Sequence, residues 1–463
     1  MQTIKPNENL NNAENVTNQI QNLDSISTKN TVPNIVIVGG GAGGLELTTA
    51  LGRKLGKKGR ARITLVDKNR VHIWKPLLHE VATGSLDDEI DGVVYRAHAA
   101  RHNYNFQYGT LSSIDRGTKT LYIDPILDEK NDVVLEQRQI KYDILVLAIG
   151  SISNDFGTEG ANEYCHMLDS RAQAQTFQKK LLNLFLQKAE NSMSDSNQSV
   201  TRLAIVGAGA TGVELSAELY HVIDVLSIYD LEKKQEQKLE IDLIEAGPRI
   251  LPALPERIAQ SAAQELEKLG VIIRTNTRVA QVTKTGLIDS EENAIAADLM
   301  VWAAGVKAQD WLKSTNLELN QINQIMCHRN LRTITDESIY AIGDCCAVEM
   351  PDGSKVPPRA QSAHQMATIV MKNICRTLEQ KELLEFTYKD YGSLVNLSRF
   401  STVGSLMGNL VKGSMFIEGK IARLMYLSLY RMHQLSIHGY IKGPFIILLS
   451  SISKIIRPKI KLH

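Results

Sequence analysis

The sequence predicts an α/β protein: two Rossmann-like dinucleotide-binding domains followed by a C-terminal amphipathic helical membrane-binding segment. Three observations predict it. A strand, glycine turn and helix occur at Pro33–Leu55 and recur at Leu203–Leu219; each is followed by a second apolar strand that ends in a carboxylate; and beyond Glu418 the chain carries bases but no acid. With 463 residues the chain has room for roughly two to four domains and a large core. Hydrophobic residues make up 43% and charged residues 22%, and 52 Lys+Arg against 51 Asp+Glu leave a formal charge of +1, which excludes a nucleic-acid binder by bulk charge. Cys165, Cys327, Cys345, Cys346 and Cys375 lack C-x-x-C spacing, so neither a disulfide framework nor a zinc site is written in them.

Residues 1–32 are rich in Asn, Gln, Ser and Thr, without the apolar core of a secretory signal or the Arg-rich pattern of a transit peptide, and are expected to form a disordered polar extension. Pro33–Val38 (PNIVIV) then runs directly into Gly39, Gly40, Gly41, Ala42, Gly43 and Gly44. In such a turn Gly39 permits the tight bend, Gly41 lets backbone approach a pyrophosphate, and Gly44 lets the helix pack on its strand, with the helix N-terminus facing the phosphates. The next strand, Arg62–Val66, ends in Asp67, placed to accept hydrogen bonds from a ribose.

The same construction returns with Gly207, Gly209 and Gly212, and its second strand, Ile241–Ile244, ends in Glu245. A carboxylate there accepts from the 2′-hydroxyl of NADH and repels a 2′-phosphate, so NADH is expected over NADPH; Arg249 nearby argues the other way. Lys188–Thr201 reads as a polar loop and Leu231–Lys238 as a solvated charged insertion, which lengthens the spacing to Glu245. Two dinucleotide units in one chain are most economically a flavin and a pyridine-nucleotide site that bring two rings together. Lys141–Gly150 and Ala297–Gly305 read as strands with glycines where the chain crosses between domains, and Ser338–Asp344 as a strand ending in Gly343 and Asp344. Glu214 has two readings, a functional acid beside the second turn or a first-turn acid that favours the helix dipole.

Taken together, Gly39–Gly44, KPLLHEVATG (75–84), GAGATGVEL (207–215), IEAGPRIL (244–251), WAAGVKA (302–308), AIGD (341–344) and RAQSAHQ (359–365) resemble the glutathione-reductase-like flavoproteins with two dinucleotide-binding domains. Within them the chain is similar to the type II NADH dehydrogenases, single-subunit NADH:quinone oxidoreductases. Asp67 stands where many relatives carry Glu, and Ile149 interrupts the common A-T-G. The resemblance implies non-covalent FAD at Gly39, Gly40, Gly41, Ala42, Gly43, Gly44, Asp67, Lys68, Leu111, Ala148 and Gly150, with Gly343 and Asp344 at the ribityl chain and Ala360 and Gln361 beside the ring. It implies NADH, as co-substrate, at Gly207, Gly209, Gly212, Glu245 and Gly305, a catalytic role for Glu214, and a quinone pocket lined by Gln361 and Gln365. A homodimer is expected. The domains expected are 33–150 with 306–390 for FAD, 151–305 for NADH and 391–463 for membrane anchoring.

A thiol acceptor is disfavoured because no cysteine lies between Asp67 and Gly150; Cys345 and Cys346 keep a sulfide:quinone oxidoreductase open as an alternative, and a non-catalytic redox-sensing flavoprotein is another. The tail favours a quinone. Ile421–Tyr430 and Pro444–Ile456 are apolar but too short to span a bilayer, and with Lys420, Arg423, Arg431, Lys442, Lys454, Arg457, Lys459 and Lys461 they fit helices lying on an anionic lipid surface. The expected location is peripheral, on the cytoplasmic face of a bacterial inner membrane. His72, His79, His364, His433 and His438 are scattered without ligand spacing, and no metal is assigned to them.

Overall fold

A computed structural model of the chain describes residues 32–87, 92–194, 200–226, 238–397, 401–408, 411–439 and 441–456. The polar N-terminal extension and nearly all of the charged insertion lie outside them. The first unit contains β1 (Asn34–Val38), α1 (Ala42–Lys54), β2 (Arg62–Asp67), α2 (Leu78–Thr83), α3 (Tyr95–His102), β3 (Asn105–Tyr108) and β4 (Ile144–Leu147). The second contains β5 (His166–Met167), α4 (Arg171–Ser194), β6 (Val200–Val206), α5 (Ala210–Leu226), β7 (Lys238–Ile244), α6 (Glu256–Leu269), β8 (Val271–Arg274) and β9 (Leu299–Trp302). The chain then returns to the first sheet as β10 (Ile339–Ala341), followed by α7 (Ala360–Leu378).

The two units are built alike. Their parallel sheets have the orders β10-β4-β1-β2-β3 and β5-β9-β6-β7-β8, so each glycine turn leaves the central strand of its sheet. Each also carries a three-stranded antiparallel sheet, at 111–141 and at 279–296; Leu111 is buried in the former. Ile152–Ser153 pairs antiparallel with Val306–Lys307 where the chain leaves the first unit and comes back. Buried on both faces, the central strands read as unbroken apolar runs: Ile35–Val38 and Leu203–Val206 are all buried. Helix α4 extends through Lys188–Ser194, which corrects the reading of that stretch as loop; Lys, Ala and Glu there are adequate helix formers despite their polarity.

The C-terminal region holds an element that the sequence did not announce. An antiparallel sheet, β11 (Gly392–Leu397), β12 (Ser401–Gly408) and β13 (Val411–Glu418), precedes the two helices α8 (Gly419–His438) and α9 (Lys442–Ile456). Helix α8 stops at Gly439, whose φ of +87° suits glycine. Its last carbonyls are capped from the first unit: the Arg53 guanidinium donates to Ser436 O (3.2 Å) and Ile437 O (2.8 Å), and His98 Nε2 to Ile437 O (3.0 Å). Among the described residues no helix is long and apolar enough to cross a membrane.

Candidate active site

The first glycine turn is fixed by contacts that admit no side chain. Gly39 takes φ +100°, and a Cβ there would overlap the carbonyl oxygen of Ala148; a Cβ on Gly44 would overlap the carbonyl of Gly39, so the helix could not lie on the strand. Gly41 differs, because nothing lies within 4 Å of its Cβ position. That open space, at the N-terminus of α1, leaves an anionic group such as a phosphate room to approach the backbone. Behind the turn, Asp67 Oδ2 accepts the Gly40 N–H (2.6 Å) and Oδ1 accepts from the Asn69 backbone (2.7 Å). Tyr95 donates its hydroxyl proton to the Gly40 carbonyl (2.6 Å), and His72 Nδ1 lies 2.9 Å from the same oxygen. Burial pushes the Asp67 carboxyl up, against the three hydrogen bonds it accepts. Lys68 is exposed beside it, and Gly43 lies against Ala363 of α7.

The second turn repeats this chemistry. Gly207 has φ +99°, a Cβ on Gly212 would overlap the Gly207 carbonyl, and Gly209 faces open space. Glu245 accepts the Ala208 N–H (3.0 Å) and the Gly247 N–H (2.9 Å), as Asp67 does in the first unit. Arg249 spends its guanidinium on the carbonyls of Leu251 (3.1 Å) and Pro252 (3.0 Å). Gly305, at φ +61°, sits against the ring of Phe156.

Between the turns, Lys75 donates to the carbonyl of Ser151 (2.8 Å), whose hydroxyl donates to Asp344 Oδ2 (2.8 Å). Gly150 and Gly343 both have positive φ, and Ala360 and Gln361 open α7. Gln361 donates to the Tyr388 hydroxyl (2.8 Å) and to Asp390 (3.1 Å), while Gln365 exchanges two hydrogen bonds with the Lys389 backbone (2.8 and 3.0 Å). Both glutamines thus fasten residues 388–392, the approach to β11, to α7.

Glu214 is 7% exposed in the first turns of α5. Its Oε1 accepts the Asn396 N–H from β11 (3.0 Å), and its Oε2 lies 3.7 Å from His79 Nδ1 on α2. Burial, with Glu80 and Glu218 adding their charge, pushes its carboxyl up to about 8 although the Asn396 hydrogen bond opposes this. At neutral pH it is therefore an acid that holds its proton. Burial pushes the His79 imidazole down.

Sequence reasoning missed three residues. Glu46, on α1, is 8% exposed and bridges His364 of α7 and His433 of α8, with 2.7 Å to His433 Nδ1. His433 Nε2 lies 2.9 Å from His72 Nε2. His79 is the third. The signal for Glu46 was available, since G-L-E-L (44–47) repeats as G-V-E-L (212–215). Of the histidines read as scattered, His72 and His433 meet while His79 and His364 each face a glutamate, and among the described residues no group of three or more metal-ligating side chains is arranged to hold an ion.

A family model for pyridine nucleotide-disulphide oxidoreductases matches residues 33–367. The type II NADH:quinone oxidoreductase of Haemophilus influenzae is 46% identical over 442 residues, covering 93% of this chain and 100% of that protein. The chain belongs to the type II NADH:quinone oxidoreductase family. Another type II NADH:quinone oxidoreductase, from Staphylococcus aureus, is 30% identical over 387 residues, covering 82% of this chain and 91% of that one. The fold agrees: the structure of NDH2 from Plasmodium falciparum in complex with NADH superposes with a TM-score of 0.75 at 20% identity, covering 93% of this chain and 100% of that chain. The sulfide:quinone oxidoreductase of Aquifex aeolicus shares the fold at 16% identity and a TM-score of 0.67. All five cysteines are free and buried, and burial pushes Cys345 up to about 12, far from a reactive thiolate.

Proposed function

We propose that this chain is an FAD-dependent NADH:quinone oxidoreductase that does not pump protons, and that its sites divide as the two units do, 33–150 with 306–390 for flavin and 151–305 for NADH. The observation that carries the reading is the repeated turn: an open face at Gly41 and at Gly209, each backed by a carboxylate, Asp67 or Glu245, that ties down the turn backbone. When bound, FAD supplies the redox chemistry, taking a hydride from NADH and passing two electrons to the quinone. The chain supplies position. The N-termini of α1 and α5 receive the two pyrophosphates, Asp67 and Glu245 the riboses, and Asp344, held by Ser151, the ribityl hydroxyls. Glu214, protonated at neutral pH, can donate a hydrogen bond or a proton near the nicotinamide without adding a charge there.

The acceptor is a membrane quinone, met at the lipid surface. Ile441, Phe445, Leu448, Leu449 and Ile452 are all exposed, and the last four form an i, i+3, i+4, i+7 stripe on α9. With the acid-free, basic tail this favours docking on an anionic leaflet, on the cytoplasmic side where NADH is made available. Buried Cys345 and Cys346 argue against sulfide as the electron source. Stopped-flow mixing tests the proposal: NADH bleaches the flavin and a soluble quinone restores it over repeated turnovers. Bleaching by sulfide and not by NADH would overturn it.

A further inference from the structure

Under the C-terminal helices lies a cavity of about 330 Å³ that the reaction described above does not use. Its walls come from α3, from the segment between β2 and α2 around His72 and Trp74, from α8, and from the start of α9. Its larger, apolar part includes Trp74, Val93, Val94, Ala97, Tyr430 and Ile446, and the charged or titratable side chains that line it are all bases: His72, His98, His102, His433, His438, Arg101 and Lys442, with the Gln434 amide among them. No carboxylate among the described residues lines it. Glu46 stands behind His433, but its oxygens are taken by His433 and His364.

Hydrogen bonding fixes which nitrogens can act. The Ile437 carbonyl can only accept, so His98 carries its hydrogen on Nε2 and accepts from Tyr104 at Nδ1 (2.9 Å). Arg53 Nε donates to His102 Nδ1 (3.3 Å), which leaves the hydrogen of a neutral His102 on Nε2. His102 therefore presents a neutral N–H donor, Arg101 and Lys442 present positive charge, and neither Arg101 nor Lys442 has a carboxylate partner among the described residues. The crowding of like charge also holds His102 near 4 and His98 near 3, with burial the largest cause in both. Such a cavity gains most from an anion.

Position indicates what carries that anion. Lys442 and Ile446, one turn apart on α9, line the cavity, while Phe445, Leu448, Leu449 and Ile452 on the adjoining stripe of the same helix face outward. A volume at the low end of small-molecule pockets suits a headgroup and leaves no room for acyl chains, which the outward stripe can receive. We infer that this cavity is a site for the phosphodiester headgroup of a single anionic phospholipid, seated on His102, Arg101 and Lys442 with its chains along α9. The inference rests on the proposed docking of the tail on lipid and names one lipid site within it.

The test uses the FAD-loaded full chain and the emission of Trp74, with Trp74→Phe marking the contribution of the other tryptophans. Dihexanoyl phosphatidylglycerol, kept below its micelle concentration, should change Trp74 emission saturably and bind about tenfold more tightly than dihexanoyl phosphatidylcholine. Filling the exposed rim with Ala97→Phe, which alters no charge, and neutralising it with Arg101→Gln plus Lys442→Gln should each weaken that binding by about tenfold. Ala97→Phe should still sediment with vesicles of phosphatidylglycerol and phosphatidylcholine in equal parts, through the α9 stripe. Equal binding of the two lipids, or binding indifferent to Ala97→Phe, would overturn the inference. Saturation by glycerophosphate or inorganic phosphate at the concentrations at which the lipid saturates would overturn the lipid as the source. A wild-type chain that sediments with vesicles but ignores the monomeric lipid refutes only this site; one that binds the monomer but no vesicle refutes only the docking proposal.

Discussion

Glu46 and Glu214 are the same residue of a repeated unit, each seven positions beyond the glycine that opens its turn, and each grips the C-terminal segment: Glu46 through the His433 side chain on α8, Glu214 through the Asn396 N–H on β11. Their environments drive them apart. Burial works to raise both, but the hydrogen bonds and charge of His364 and His433 outweigh it and hold the Glu46 carboxyl below its ordinary value, whereas Glu214, with Glu80 and Glu218 nearby, is pushed up to about 8. One position thus yields an ion and an acid.

The Glu214 shift has a definite sign. Between its ordinary value of 4.5 and about 8 the native protein binds more protons than the unfolded chain, so the contribution of Glu214 to stability falls as pH rises through that window. Glu214→Gln removes the titration. The variant should match wild type in melting temperature near pH 4, gain on it progressively up to about pH 8, and lack the break near 8 in the turnover profile; melting curves and kcat across pH check this.

Gly44→Ala and Gly41→Ala should fail in different ways. The first forces a methyl group into the Gly39 carbonyl and should lower the stability of the apoprotein by about 3 kcal/mol or more. The second enters open space and should leave apoprotein stability within about 0.5 kcal/mol while reducing FAD content after purification. Calorimetry of the apoprotein and flavin absorbance separate the two.

Glu245→Gln keeps the shape of the second carboxylate and removes its charge. It should lower the ratio of kcat/KM for NADH over NADPH by roughly tenfold, the scale of one charge-assisted hydrogen bond. Arg249 contributes little to that change, because its guanidinium is committed to Leu251 and Pro252. Steady-state kinetics with both nucleotides measure it.

Cys345→Ala and Cys346→Ala, singly or together, should leave NADH-dependent flavin reduction within about twofold of wild type, and the protein unreactive to thiol reagents in its native state, since both sulfurs are buried. Stopped-flow bleaching and mass spectrometry after alkylation decide this.

Phe445→Glu with Leu449→Glu, or removal of the chain from Lys442 onward, should release the protein from anionic vesicles and leave its FAD content unchanged. A longer deletion from Ile421 is a different experiment, because it takes away His433 and leaves the buried Glu46 with one partner, at a cost of about 1–3 kcal/mol. Sedimentation and flavin absorbance distinguish the two truncations.

The glycine turns, Asp67 and Glu245 were legible in the sequence because each answers a local demand: a backbone angle, a close approach, or a carboxylate at the end of the second strand; Glu214 was marked by the family motif, while its spacing alone left two readings open. What escaped was non-local. The partner that gives Glu46 its role, His433, is 387 residues away, and nothing in its own neighbourhood marks it. The sheet β11–β13 escaped because GSLVNL, STVGSLMG and VKGSMFIE alternate too weakly to separate strand from loop. Gln361 and Gln365 stood out by motif, yet the motif does not reveal that both amides fasten residues 388–392.

The grip of the tail on Glu46 and Glu214 also bears on how two similar modules differ. The strand, turn and helix of the two units are alike, and a single C-terminal segment that reaches both, offering an imidazole to one carboxylate and a peptide N–H to the other, makes them unequal.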